Sequence, residues 1–237
     1  MKIRIISPTI TEDFLPEQER DFASVARKDT ELSYVILEDG PVSIESEYDE
    51  ALALPGILKQ VSIAESEGID AVIINCASDP GIDAAREVAS IPVIGPAQAA
   101  FSLSTMLAQK FSVIAILERD IPDLDRMFRV YGILDRIASV RVMDIPVLDI
   151  SKDRNKAIDA MTKAALHALK EDRAEAITYD CTGLTEIVND VKSNLLKEGF
   201  DVPVIEPVAA SLKLAETLVD LGISHSKITY PIPPIKS

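Results

Sequence analysis

Residues 68–100 read GIDAVIINCASDPGIDAAREVASIPVIGPAQAA, and residues 173–210 read RAEAITYDCTGLTEIVNDVKSNLLKEGFDVPVIEPVAA. In each, an apolar strand ends in a cysteine, a loop and a helix follow, and a Pro-Val-Ile segment leads to a second proline and an Ala-rich stretch. Cys76 and Cys181 lie about 105 positions apart, and Pro92 and Pro203 about 111 apart. The apolar strands at Ile3 and Val113 have nearly the same offset. A repeat of this length signals two copies of one structural unit.

Outward from the first copy, residues 2–6 form a short apolar run that fits a buried strand, and Ser7, Pro8 and Thr9 fit the turn after it. Residues 15–28 have helical character, 32–37 read as a strand, and Gly40-Pro41 marks a turn. A mixed apolar and acidic stretch with helical spacing then runs through Gly56 to Glu67, its acidic run at 45–50 reading as a solvated face or helix start, and residues 71–75 are the next strand. After Cys76, Asp79-Pro80-Gly81 precedes residues 82–89, which suit a helix capped by Asp with Pro in its first turn. The second half repeats the succession, with a strand at 111–117, a helix-rich middle, a helix at 157–169 and a strand at 176–179 running into Cys181.

Strands and helices alternating at this spacing pair in parallel through right-handed crossovers. The fold class is therefore α/β, as two similar Rossmann-like lobes related by pseudo-twofold symmetry with the active site in the cleft between them. Residues 1–100 with 207–237 are assigned to the first lobe and 101–206 to the second. Ligands of open α/β sheets bind at the carboxyl ends of strands, where both cysteines stand in this reading.

Composition narrows the function classes. The chain has 237 residues, 47% of them hydrophobic, and a formal net charge of -15. That charge argues against nucleic acid, whose binding needs a concentrated basic face. Apolar stretches are interrupted well short of about 18 residues and no signal-peptide pattern opens the chain, so a cytoplasmic protein without a membrane partner is expected. In that compartment the two cysteines are free thiols. A homo-oligomer is expected from general frequency.

Two thiols suit inversion at carbon, which needs a base on one face and an acid on the other. A free thiol titrates near about 8.5, and a helix amino terminus lowers that value. Cys76 stands before such a helix start. Cys181 is followed by Thr182 and Gly183, whose N–H groups suit a carboxylate or a developing enolate. Ser78 and Thr182 are candidates for the same task. A lone cysteine is more often a small buried hydrophobe, but equivalent positions in both copies favour function. His167 reads as a core or boundary histidine and His225 as solvated or capping. Two His and two Cys so scattered lack zinc-ligand spacing, and no phosphate-binding glycine motif occurs, so neither metal nor nucleotide cofactor is expected.

At these residues the sequence resembles the hydantoin and allantoin racemase branch of the aspartate/glutamate racemase superfamily. The resemblance spans nearly the whole chain, through GPVSIESEYDEALALPGIL from Gly40, INCASDPGIDAARE from Ile74, PVIGPAQAA from Pro92, YGILDRIASVRVMDIPVLDI from Tyr131, DCTGL from Asp180 and ETLVDLGISHSKITYPIPP from Glu216. It implies two α/β lobes, catalytic Cys76 and Cys181, and no cofactor. Substrate-binding positions are expected at Ser7, Pro8, Thr9, Ala77, Ser78, Thr182 and Gly183. The chain departs from the family pattern at several of these. Ser7-Pro8-Thr9-Ile10 replaces an Asn-Pro-Asn-Thr segment, Ala77-Ser78 replaces Phe-Gly, Ala115-Ile116-Leu117 replaces a Thr-containing strand end, and Asp180 replaces a Gly.

The expected activity is cofactor-independent racemisation of a small molecule at an acidic carbon, with a 5-substituted hydantoin or allantoin as leading substrate. An acidic amino-acid racemase, a related isomerase or decarboxylase, and a non-catalytic small-ligand binding protein are the alternatives.

Overall fold

The computed structural model describes residues 1–150 and 152–234. Ser151 and residues 235–237, assigned above to the second and first lobes, lie outside the described residues. The chain divides into two compact units, Met1–Pro96 with Ser211–Ser237, and Ala97–Ala210.

The first unit runs β1 (Lys2–Ile6), α1 (Leu15–Val25), β2 (Glu31–Val35), α2 (Glu47–Ser66), β3 (Ala71–Ile74), α3 (Ile82–Val88) and β4 (Val93–Ile94). Its sheet has the order β2-β1-β3-β4, with every pair parallel. The final rung of β1 and β3 pairs Ile6 with Ile74, so both strands leave the sheet at the same level. All four residues of β3 are buried, as a strand covered on both faces requires.

Helix α2 begins at Glu47, within the acidic run read as a solvated face or helix start, and Pro55 and Gly56 sit inside it. Ser46 starts it by accepting from the Asp49 N–H, while the Asp49 carboxylate accepts from the Ser46 hydroxyl and the Glu45 N–H. This reciprocal cap explains the acidic run at 45–50. The buried stripe Ala53, Ile57, Val61 and Ala64 lies on one helical face, and its packing offsets the hydrogen bond that Pro55 removes. Gly56 permits close approach, since a Cβ there would stand 3.1 Å from a Leu37 methyl.

The second unit contains β5 (Phe111–Ala115), α5 (Ile121–Val130), β6 (Ile137–Val142), α6 (Val147–Ile150), α7 (Arg154–Lys170), β7 (Ala176–Tyr179) and α8 (Val188–Lys197). Its sheet has the order β6-β5-β7, again parallel. A parallel bridge between Ile177 and Val204 gives the second Pro-Val-Ile segment the place that β4 holds beside β3. The middle region read as helix-rich also holds β6, whose residues are all only partly buried and carry no clear alternation. Two helices, α4 (Pro96–Leu107) and α9 (Pro207–Leu221), contain the points at which the chain passes from one unit to the other. Among the described residues, no helix is long and apolar enough to cross a membrane.

Of its two expected roles, solvated or capping, His225 takes the second. Its Nε2 accepts from the Val93 N–H at 2.9 Å, satisfying an edge donor of β4. Nearby, Lys227 Nζ donates to the Arg86 carbonyl at 2.6 Å, and the Arg86 guanidinium stands 5.5 Å from the Tyr230 ring centre. Burial, followed by the Arg86 charge, pushes the imidazole down from 6.5 to about 4. Because the folded value lies below the unfolded one, stability is intact above about 6.5 and declines as pH falls from there toward 4. Melting temperatures measured across that window should show this decline in the wild type and a shallower one in His225→Gln; equal slopes would contradict it.

Candidate active site

In the first unit, the carboxyl ends of β1 and β3 deliver two loops side by side. The Asn75 N–H donates to the Ile6 carbonyl at 2.8 Å, and the Cys76 N–H folds back to the Ile74 carbonyl at 2.8 Å. Beside it, Ser7, Pro8 and Thr9 are buried. Ser7 Oγ donates to Gln18 Oε1, while the Thr9 carbonyl accepts from the Leu37 N–H at 2.9 Å. The backbone is thereby fixed, yet Thr9 Oγ1 has no hydrogen-bond partner among the described residues.

Cys76 is half-buried and its Sγ lies 3.3 Å from Ser78 Oγ. Ala77 is buried and Ser78 half-buried. Contrary to the sequence expectation, no Asp caps the following helix. Gly81, at φ +66°, occupies that position, and α3 has only seven residues. Asp79 instead adopts φ +51° and is buried with its carboxyl against Gly95, where a Cβ would collide with it. Loss of water pushes the Cys76 thiol up to about 12, against the Ser78 hydroxyl and N–H, which pull it down; Glu50 and Asp79 add to the rise. The lowered thiol expected from a helix start is therefore overturned by desolvation.

In the second unit, Cys181 directly follows Asp180 at the carboxyl end of β7. It is buried, and its Sγ accepts from the Gly183 N–H at 3.4 Å. A 3-10 turn, Thr182–Ile187, follows, with Thr182 and Gly183 half-buried. Sequence reasoning missed what holds this turn. The Thr185 hydroxyl stands 3.3 Å from the Thr182 carbonyl and 3.1 Å from Glu206 Oε1. Glu206 also accepts from the Val208 and Ala209 N–H groups at 2.7 and 2.6 Å, so one carboxylate joins the cysteine loop to the start of α9. The signal was an acid immediately before Pro207, a helix-capping pattern.

Asp180 is turned back to β5, where its Oδ1 accepts from the Ile116 N–H at 2.9 Å. Burial, then Asp120, raises its carboxyl well above the ordinary 3.8. His167 is exposed on the last turn of α7 rather than in the core. Among the described residues no cluster of three or more His, Cys, Asp or Glu could hold a metal ion.

The sequence matches the Asp/Glu/Hydantoin racemase family over residues 3–215. This chain belongs to that family. It is 40% identical over 237 residues to the hydantoin racemase of Pseudomonas sp. (strain NS671), covering all of this chain and 93% of the relative. It is 37% identical over 238 residues to the hydantoin racemase of Rhizobium meliloti, covering 100% and 97%. Among solved structures, the allantoin racemase from Klebsiella pneumoniae matches with a TM-score of 0.92 at 33% identity, covering all of this chain and 95% of that one. The racemase family places the protein among the isomerases.

Two outcomes test this electrostatic picture. In a Cys181→Ser background, Ser78→Ala should slow iodoacetamide alkylation of Cys76 at pH 8–9 by about two- to tenfold, the worth of one hydrogen bond to the thiolate; an unchanged rate would contradict it. Asp180 carries a raised pKa, so its contribution is intact below 3.8 and lost as pH rises through the folded value. Asp180→Asn keeps the acceptor for Ile116 and should melt higher than wild type at pH 7–8, with the gain shrinking toward pH 4.

Proposed function

We propose that the protein racemises a 5-substituted hydantoin or allantoin without a cofactor, one of Cys76 and Cys181 taking the proton from the stereogenic ring carbon and the other delivering its own to the opposite face. The observation that carries this reading is that in each unit a fully buried parallel strand, β3 or β7, is followed two residues on by a free thiol whose sulfur meets a nearby polar hydrogen-bonding group. The names of the relatives support a cyclic ureide over an amino acid.

The ring carbon is acidic because the adjacent carbonyl takes up charge as an enolate. One sulfur, as thiolate, removes its hydrogen; the other, as thiol, returns a hydrogen to the opposite face. Each turnover exchanges the protonation states of the two sulfurs. Burial raises the Cys76 thiol, which favours its protonated form in the free protein. Its raised value also makes the thiolate left behind a stronger base for the reverse direction. The Gly183 N–H, bonded to the Cys181 sulfur, favours that sulfur as thiolate, and the Thr182 loop supplies a donor toward the developing oxyanion.

Polarimetry with single enantiomers of allantoin and a 5-alkylhydantoin tests the reading. Wild type should abolish optical rotation, and Cys76→Ser and Cys181→Ser should each lose at least about a hundredfold, the lower range of acid–base catalysis. A single variant racemising at the wild-type rate would overturn the two-thiol mechanism, and no turnover of any ureide by wild type would overturn the substrate class.

A further inference from the structure

The first unit holds an imbalance of buried polar groups. Asn75 is 4% exposed, and neither its Nδ2 nor its Oδ1 has a hydrogen-bond partner among the described residues. Buried amides are almost always paired, because leaving a donor or acceptor unmade incurs its full desolvation penalty. Here both ends of one carboxamide are unmade, immediately before Cys76. Thr9 Oγ1, on the loop leaving the neighbouring strand, is likewise buried and unpartnered. The backbone around both is well bonded: the Asn75 N–H is held by Ile6, and the Thr9 carbonyl by Leu37. At the carboxyl ends of β1 and β3 the imbalance thus lies in side-chain groups.

We infer that Asn75 is a specificity-determining residue whose carboxamide reads an adjacent N–H and C=O on the substrate, as a cyclic ureide presents them. This inference rests on the ureide reading of the preceding subsection and deepens it. A carboxamide offers one donor and one acceptor side by side, which is the complement of a ring amide or urea edge. A carboxylate offers only acceptors; against it Nδ2 gains one bond while Oδ1 faces another oxygen. The residue therefore favours a ring amide edge over a carboxylate edge by what it leaves unpaired as well as by what it bonds. Thr9 Oγ1 supplies a further donor or acceptor for a ring oxygen or nitrogen. Placed one residue before Cys76, the paired contacts fix the ring relative to the sulfur.

The test uses 5,5-dimethylhydantoin, which keeps the ring amides but has no hydrogen on the ring carbon and so cannot turn over. Asn75→Leu preserves size and removes both unmade groups. The free variant should melt at or above the wild-type temperature, yet bind the probe at least about tenfold more weakly by calorimetry, the worth of one or two hydrogen bonds. Asn75→Ala, which leaves space rather than filling it, should show the same loss of binding and covers the case in which leucine does not fit. A variant that melts lower and binds the probe as wild type does would overturn the inference, assigning Asn75 a purely structural role. The two readings fail separately. If wild type racemises a hydantoin while both variants bind the probe unchanged, only the role of Asn75 falls; if wild type neither binds nor turns over any ureide, the proposed function falls with it.

Discussion

Parallel pairing of β1 with β3 and of β5 with β7 is the constraint from which the chemistry descends. Parallel strands need crossover connections, and right-handed crossovers bring every strand of a sheet to the same end. In the first sheet, the rung between Ile6 and Ile74 makes the Ser7-Pro8-Thr9 loop and the Asn75-Cys76 loop neighbours. In the second, pairing of Ile114 with Tyr179 lets Asp180 reach the Ile116 N–H and sets Cys181 at the strand's end. A one-residue change of register would turn these side chains to other faces.

Desolvation then decides the behaviour of the charged groups. It outweighs the Ser78 contacts at Cys76 and the Ile116 contact at Asp180, and both groups hold their protons more tightly than in water. The same burial that makes Cys76 reluctant to ionise makes its thiolate a capable base once formed, and it strengthens any hydrogen bond a substrate completes. Glu206 shows the complementary use of a carboxylate, bonded by two backbone donors and Thr185 to hold the turn behind Cys181 in place.

Much of this was legible before the structure. Apolar runs of four to six residues at β1, β3, β5 and β7 carried their own assignment, and the repeated Cys and Pro-Val-Ile pattern gave equivalent strand ends. Helix α2 was readable from its acidic start and its spacing, and its buried stripe keeps it continuous through a Pro-Gly pair. One strand escaped. Strand β6 is half-buried along its length, so no alternation marks it. At the site, the residue types were readable but not their environments. Asp79 looks like a cap and is instead a buried carboxyl over Gly95. Asn75 is a single polar letter ending AVIIN, and its meaning depends on having no partner, which only packing reveals.

The most direct test of the central claim, that two different groups handle the proton on opposite faces, is circular dichroism of a single hydantoin enantiomer racemising in deuterium oxide, with mass analysis of both enantiomers early in the reaction. Two acid–base groups predict product carrying deuterium while unconverted substrate keeps its original hydrogen, with the signal passing through zero before returning to it as the isotope effect slows the reverse reaction. Deuterium entering substrate and product equally from the outset, with a monotonic decay, would contradict the account.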